Sequence, residues 1–154
     1  MEMNRAMRRA LKNNRPIPEG RVIPLPPMLD EWTIFDIPER IFLKLKHGEI
    51  EAINGTPIFF DMTGAACEVV PALSGWCYTW DRINDELELD LNLRPIKKVF
   101  NKLEAAMWLS PGDVIQAQAA LDKIRSVFRV ADRKAIKRIA TEAQIAILMK
   151  DNLA

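Results

Sequence analysis

The chain has 154 residues, 49% of them hydrophobic and 28% charged, a composition typical of a folded globular protein rather than a disordered one. No stretch reaches the roughly 20 apolar residues of a membrane-spanning helix, and no apolar segment follows the N-terminal arginines, so neither a span nor a secretory signal is expected. The two cysteines, Cys67 and Cys77, are interpreted as small apolar core residues in a reducing compartment, which predicts a cytoplasmic location.

Charge is distributed unevenly along the chain, although the net charge is only +1. Residues 1–29 carry +4, residues 30–95 carry −8 and residues 96–154 carry +5. This asymmetry indicates either an electropositive contact surface or two regions of the fold that neutralise each other.

Residues 1–29 are predicted to form a basic, Pro-rich N-terminal arm, followed by a single domain of residues 30–154. Residues 4–14 can form a basic helix, but one this short is marginal in isolation. Five prolines then fall within residues 16–27, so this part is expected to be extended, either as a free tail or lying across the domain or a partner. A first cluster of predicted partner-binding residues lies in the arm: Arg5, Arg8, Arg9, Lys12 and Arg15.

Residues 3–10 read MNRAMRRA, and this opening resembles the start of many small accessory proteins encoded by phages and prophages. The resemblance covers about ten residues and transfers no functional residue. It implies a phage accessory protein in the host cytoplasm, or a component of the virion.

The first part of the domain is predicted to be a helix followed by a small β-meander. Residues 36–39 (DIPE) resemble a capping box that starts the helix, and Gly48 is placed to end it after the only histidine, His47. Strands are predicted over residues 49–53 and 56–60, joined by a hairpin turn at Asn54-Gly55, and over residues 65–70.

The remainder is predicted to be helical, apart from an extended stretch at residues 89–93. A central amphipathic helix over residues 71–90 places Trp76 and Trp80 on its apolar face, buried between the strands and the C-terminal helices. Further helices are predicted from Pro95, with Met107 on the apolar face, and from Ser110. Residues 113–150 form either one long helix or two helices separated at Asp132. The predicted class is α+β, with about four helices and a small antiparallel sheet.

Motifs for catalysis are not found in the sequence. There is no nucleophile elbow, no glycine-rich phosphate loop, no second histidine and no cysteine pair at ligand spacing. We therefore expect a non-enzymatic protein without catalytic residues, metal or cofactor.

Positive charge recurs at helical spacing near the C-terminus, in a second cluster of predicted partner-binding residues: Arg125, Arg129, Arg133, Lys134, Lys137 and Arg138. On a continuous helix these residues form a basic ridge suited to phosphates or to an acidic protein surface. The alternative is a solvated face neutralised by Asp122, Asp132 and Glu142 or by the acidic central helix. No aromatic residues alternate with these charges, so any nucleic-acid contact is expected to be with the backbone.

The predicted function is binding of a protein partner or nucleoprotein complex, as a regulator or inhibitor of a host component. One alternative is a virion structural or assembly protein whose arm docks on neighbouring subunits. Another is a protein that contacts the nucleic-acid backbone. No membrane partner is expected, and a homo-oligomer is compatible with each of these functions.

Overall fold

A helix-dominated α+β architecture is present in the computed structural model, which describes residues 31–61 and 63–153. The elements in chain order are α1 (Glu31–Lys46), β1 (Glu51–Ile53), β2 (Thr56–Phe60), β3 (Ala66–Glu68), α2 (Val69–Leu87), α3 (Arg94–Glu104), α4 (Pro111–Val130) and α5 (Arg133–Leu153). The predicted fold class is confirmed, with five helices rather than about four in the described part of the chain. The predictions for the arm of residues 1–29 lie outside the described residues.

Helix α1 begins at Glu31, five residues before the predicted start, so the predicted capping box at Asp36 is wrong. Pro38 lies inside the helix, and because it has no N–H the carbonyl oxygen of Ile34 loses its usual partner four residues on. The indole Nε1 of Trp76 donates to that oxygen at 2.9 Å. Asp36, instead of capping a helix, pairs with Arg40 at 3.1 Å. The helix continues through a proline because a neighbouring helix supplies the missing donor.

The end of α1 is fixed by backbone hydrogen bonds around Gly48. Its N–H donates to the carbonyl of Leu45 at 3.2 Å, and the N–H of Glu49 donates to that of Lys44 at 2.8 Å. These two bonds define a Schellman motif, which requires a left-handed residue, and Gly48 has a φ of 65°. The predicted helix end is confirmed.

The three strands form an antiparallel sheet in the order β1-β2-β3. Asn54 and Gly55 have φ values of 53° and 80°, the two left-handed residues of a type I′ hairpin turn. The predicted strands at residues 49–53 and 65–70 are shorter, because β1 begins at Glu51 and β3 ends at Glu68. The residues after β3 start α2 instead, and Pro71 falls in the first turn, where no N–H is needed.

Helix α2 is the centre of the core, and the predicted burial of both its tryptophans is confirmed. Trp76 and Trp80 are 9% and 1% exposed. Their ring partners are Phe35 of α1, at centroid distances of 5.9 and 5.6 Å, and for Trp80 also Phe128 of α4 at 6.4 Å. The contact of both tryptophans with α1 was not predicted from the sequence.

A polar side chain on the apolar side of α2 fixes the connection to α3. Asn84 accepts a hydrogen bond from the N–H of Leu91 at 2.8 Å and donates to the carbonyl of the same residue at 3.4 Å. Residues 89–93 form no regular secondary structure, although their alternating leucines predicted an extended stretch. Helix α3 then ends at Glu104, so Met107 is not on its apolar face as predicted and is 58% exposed.

Helices α4 and α5 are separate, which decides between the two alternatives for residues 113–150. Ser110 and Asp113 form a reciprocal capping box at the start of α4. Asp132 Oδ1 accepts from the N–H of Lys134 at 3.0 Å and so caps α5. Helix α1 packs against α4, α3 against both α2 and α4, and α5 along α2. Within the described residues, no helix is both long and apolar enough to cross a lipid bilayer.

Candidate partner-binding surfaces

The predicted basic ridge does not form one continuous face, because the chain breaks between α4 and α5. Arg125 and Arg129 lie on α4, whereas the other four cations lie on α5. The six residues therefore have different contacts, which are described below in three groups.

Arg125 and Arg129 hold α1 against α4. The guanidinium of Arg125 pairs with the carboxylate of Glu39 and lies 5.2 Å from the ring centroid of Phe35. Arg129 Nε donates to Glu31 Oε1 at 2.6 Å. Neutralisation by acids of α1 was not predicted, because local patterns do not reveal how α1 and α4 are aligned against each other.

Arg138 joins α5 to the acidic end of α2, as the neutralised alternative anticipated. Its guanidinium contacts Glu142 at 3.2 Å and Glu86 at 3.3 Å. The hydrogen bond with Glu142, followed by its charge and the contacts with Glu86, raises the pKa of Arg138. This residue therefore has carboxylate partners within the fold.

Arg133, Lys134 and Lys137 remain exposed near the junction of α4 and α5. The Arg133 guanidinium lies 5.0 Å from the ring centroid of Phe128, a cation–π contact. Val130, next to the junction, is 87% exposed. Trp32 is 61% exposed and follows Glu31, the residue that Arg129 binds. We define the corner surface as the set Trp32, Arg129, Val130, Arg133 and Lys134.

The N-terminal arm joins the domain at this corner. Residues 1–30 lie outside the described residues, so the structure does not place Arg5, Arg8, Arg9, Lys12 and Arg15. It does place their point of attachment, since Glu31 is bound to Arg129 at 2.6 Å. The described part of the chain therefore starts beside the C-terminal end of α4, next to Arg129 of the second predicted cluster.

A second basic surface, on α3, was missed in the sequence analysis. The four cations of α3 are Arg94, Lys97, Lys98 and Lys102, and Arg94, Lys98 and Lys102 are spaced four residues apart. This spacing was present in the sequence but was assigned only to a core helix. With Asn101, Ala105 and Met107, these side chains line an open concavity that we call the α3 groove. Trp108, directly after Met107, is 77% exposed.

Two aspartates pair with the three lysines of the α3 groove. Lys98 Nζ and Lys102 Nζ lie 3.1 and 2.7 Å from the two carboxylate oxygens of Asp113. The hydrogen bond from Lys102, then those from the Ser110 backbone and Lys98, lower the pKa of Asp113 far below its usual range. Lys97 pairs with Asp81 of α2 at 2.7 Å. Arg94 is exposed at the first turn of the helix.

Cys77 is not an activated nucleophile. Burial, and secondarily the charge of Asp81, raises the pKa of the Cys77 thiol to about 12. Cys67 is half-buried beside Asp61, with its Sγ 3.8 Å from Asp61 Oδ2. Among the residues that the structure describes, no three His, Cys, Asp or Glu side chains are grouped to hold a metal ion.

Comparisons with models of known protein families, with curated proteins and with solved structures gave no match to this chain. The chemistry of the two surfaces therefore carries the functional inference. Residues 31–154 contain sixteen Lys and Arg against eighteen Asp and Glu, a net charge of −2. Both basic surfaces are thus local features of a domain that is slightly acidic as a whole.

Proposed function

We propose that this protein is a non-enzymatic accessory protein that uses its corner surface and its N-terminal arm to bind an acidic protein partner, alone or in a nucleoprotein complex. Binding then regulates or inhibits that partner. The observation that carries this proposal is the attachment of the basic arm at Glu31, bound to Arg129 of the corner surface.

The covalent link between the arm and the domain should strengthen binding to a partner. Once the corner surface contacts a partner, the arm is held close to the same partner, so its binding becomes an intramolecular step with a high effective concentration. The arm carries +4 over residues 1–29, which suits a partner whose acidic surface extends beyond the corner.

A protein partner fits the corner surface better than a nucleic acid does. Trp32 and Val130 are 61% and 87% exposed and are the chain neighbours of Glu31 and Arg129, which bind each other. Exposed Trp with Arg is the mixture enriched at protein interfaces. The domain's net charge of −2 over residues 31–154 also opposes wrapping by a polyanion.

The identity of the partner as a host component rests on the resemblance of residues 3–10 to phage accessory proteins. A phage-encoded binding protein without catalytic groups would act by occupying a host surface. The same resemblance supports the alternative of a virion or assembly protein, in which the arm docks on a neighbouring subunit.

The test is site-specific photo-crosslinking from Val130 in the cells that naturally produce the protein. The surface variant is Arg133→Glu with Lys134→Glu. The matched control is Lys46→Glu with Lys150→Glu, which reverses two exposed charges at the ends of α1 and α5. Thermal melts first establish that both variants are folded.

We expect one acidic protein to be crosslinked by the parent and by the control. Reversing two interfacial charges should lower its yield by about tenfold in the surface variant. Deleting residues 1–30 should also lower it. An unchanged yield in the surface variant contradicts the proposal. Crosslinks only to nucleic acid favour the backbone-binding alternative, and crosslinks only to subunits of purified particles favour the virion alternative.

A further inference from the structure

We infer that the α3 groove and Trp108 form a second docking surface, which binds an acidic, amphipathic segment of a partner protein. This surface is separate from the corner surface and does not depend on the function proposed for it. Asp113 and Arg129, which mark the two surfaces on α4, are sixteen residues apart, or about 24 Å along the helix axis.

Cations along the groove define one half of the ligand. Arg94, Lys98 and Lys102 are spaced four residues apart, so they form a row about 12 Å long on one side of α3. Lys98 and Lys102 each contact Asp113 once, and an ammonium group has three donors, so each can also bind a ligand carboxylate beside Arg94. Carboxylates one helical turn apart in a partner segment, or on alternate residues of an extended one, match this row. The groove therefore selects acidic side chains carried by a polypeptide.

Apolar side chains at the end of the groove define the other half. Met107, which lines the groove, and Trp108, which follows it in the chain, are 58% and 77% exposed. Trp and Met are enriched at protein interfaces, where Met adapts its shape and Trp fills a pocket. A partner segment with large apolar residues beside its carboxylates would cover both halves at once.

Ion pairs within the groove argue against phosphate and nucleic acid as its ligands. The site where α4 starts, ordinarily suited to a phosphate, is already occupied by the carboxylate of Asp113, which binds Lys98 and Lys102. Asp81 and Asp113 also reduce the four positive charges to a net +2, which is low for a nucleic-acid polyanion. Trp108 is the exposed aromatic residue of this surface, whereas single-stranded nucleic acid usually stacks on several.

The test is a titration of the ¹⁵N-labelled full chain, followed through indole and backbone amide NMR signals. The probe is a 14-residue peptide with the sequence GELLEELLEELLEG. Its matched control has every Glu replaced by Lys. A thymidine 15-mer tests the nucleic-acid alternative. The Trp108 indole signal is assigned from its loss in Trp108→Phe, and the chain also supplies the exposed Trp32 as an internal comparison.

We expect the Glu peptide to shift the Trp108 indole and the amides of α3 saturably, with little change at Trp32. Trp108→Ala should weaken this binding by about fivefold or more, since an exposed Trp at an interface is often a hot spot. Arg94→Glu should weaken it by about threefold. The controls Trp32→Ala and Lys123→Glu should change it by less than about twofold.

Three results would overturn the inference. One is the absence of a saturable shift at Trp108. Another is equal binding of the Lys peptide. The third is tighter, steeply salt-dependent binding of the thymidine 15-mer, which would assign the surface to nucleic acid. The crosslinking test reads out at Val130 and varies Arg133 and Lys134. None of these residues is changed here, so failure here leaves the crosslinking result unaffected.

Discussion

A single indole N–H connects the first helix to the centre of the core. Trp76 donates to the carbonyl oxygen of Ile34, which lacks its usual partner because Pro38 has no N–H. The same tryptophan contributes its ring to the cluster around Phe35. Trp76 is therefore buried in the apolar core and also supplies the hydrogen bond that α1 lacks because of Pro38.

This arrangement predicts energetic coupling between Trp76 and Pro38. Trp76→Phe should destabilise the protein by about 1–3 kcal/mol, because the Ile34 carbonyl loses its donor. In a Pro38→Ala background the alanine N–H can bind that carbonyl, so the same change should cost about 1 kcal/mol less. Urea unfolding of the four proteins measures the coupling. Trp80→Phe, in the same cluster, is the control and should cost the same in both backgrounds.

Two helices end in the same backbone conformation but with different residue types. Gly48 after α1 and Ala106 after α3 have φ values of 65° and 54°, and both follow Schellman hydrogen bonding. A Cβ built at Gly48 meets no atom within 4 Å, so any effect there is conformational rather than steric. The alanine carries the strain that the glycine avoids.

Exchanging the residue types should move stability in opposite directions. Gly48→Ala should lower the free energy of unfolding by about 1 kcal/mol, because a left-handed conformation is strained for alanine. Ala106→Gly should raise it by up to about 1 kcal/mol, since relief of that strain exceeds the entropy lost. Chemical denaturation of both variants provides the measurement. A loss of stability in Ala106→Gly would contradict the assigned strain.

At the scale of elements, Asp113 links the start of α4 to α3. It accepts from the Ser110 N–H at 3.0 Å and binds the ammonium groups of Lys98 and Lys102. These contacts favour the ionised carboxylate and lower its pKa in the folded protein. Ionised Asp113 therefore stabilises the fold above the ordinary pKa of an aspartate, near 4, and this contribution is lost as the pH falls through the lowered value.

Asp113→Asn should consequently be least stable relative to the parent at neutral pH. The difference should shrink progressively below about pH 4, where the unfolded parent binds a proton that the folded parent does not. Urea midpoints measured between pH 2 and 7 test this. Asp122→Asn removes an exposed carboxylate from the same helix and serves as the charge control. A difference that does not depend on pH would disprove the role of the ionised form.

Local patterns predicted most elements of the fold. Asn54-Gly55, Gly48 and the Ser110 capping box act through their own backbone neighbourhood, so their sequence is sufficient to place them. The start of α1 was not predictable in this way, because it depends on a donor from Trp76, 42 residues away. The pairing of Arg129 with Glu31 was hidden for the same reason, because these residues are 98 positions apart.

The candidate surfaces were less predictable than the elements. The charges at Arg133 and Lys134 were identified from spacing, but their separation from Arg125 depends on the break capped by Asp132. The α3 groove could have been recognised from the steps between Arg94 and Lys102. The exposure of Trp108 could not, because a tryptophan between two helices is ordinarily assigned to the core.

At the scale of the molecule, the two surfaces lie at opposite ends of α4. The corner surface is next to its C-terminal residue Val130, and the α3 groove is next to its start at Pro111. A helix of this length spans about 30 Å. The two proposed docking surfaces are therefore far enough apart to be occupied at the same time.

The packing of α5 has a consequence for how the protein opens. α5 packs along α2, whereas α4 packs against both α1 and α3. Fewer buried contacts mean that α5 can separate at a lower free energy than global unfolding requires. In hydrogen-exchange mass spectrometry, α5 amides should therefore exchange before those of α4, and Arg138→Ala, which removes the contact with Glu86, should speed α5 alone. We therefore expect α5 to detach from α2 and pack against it again while the other four helices stay assembled.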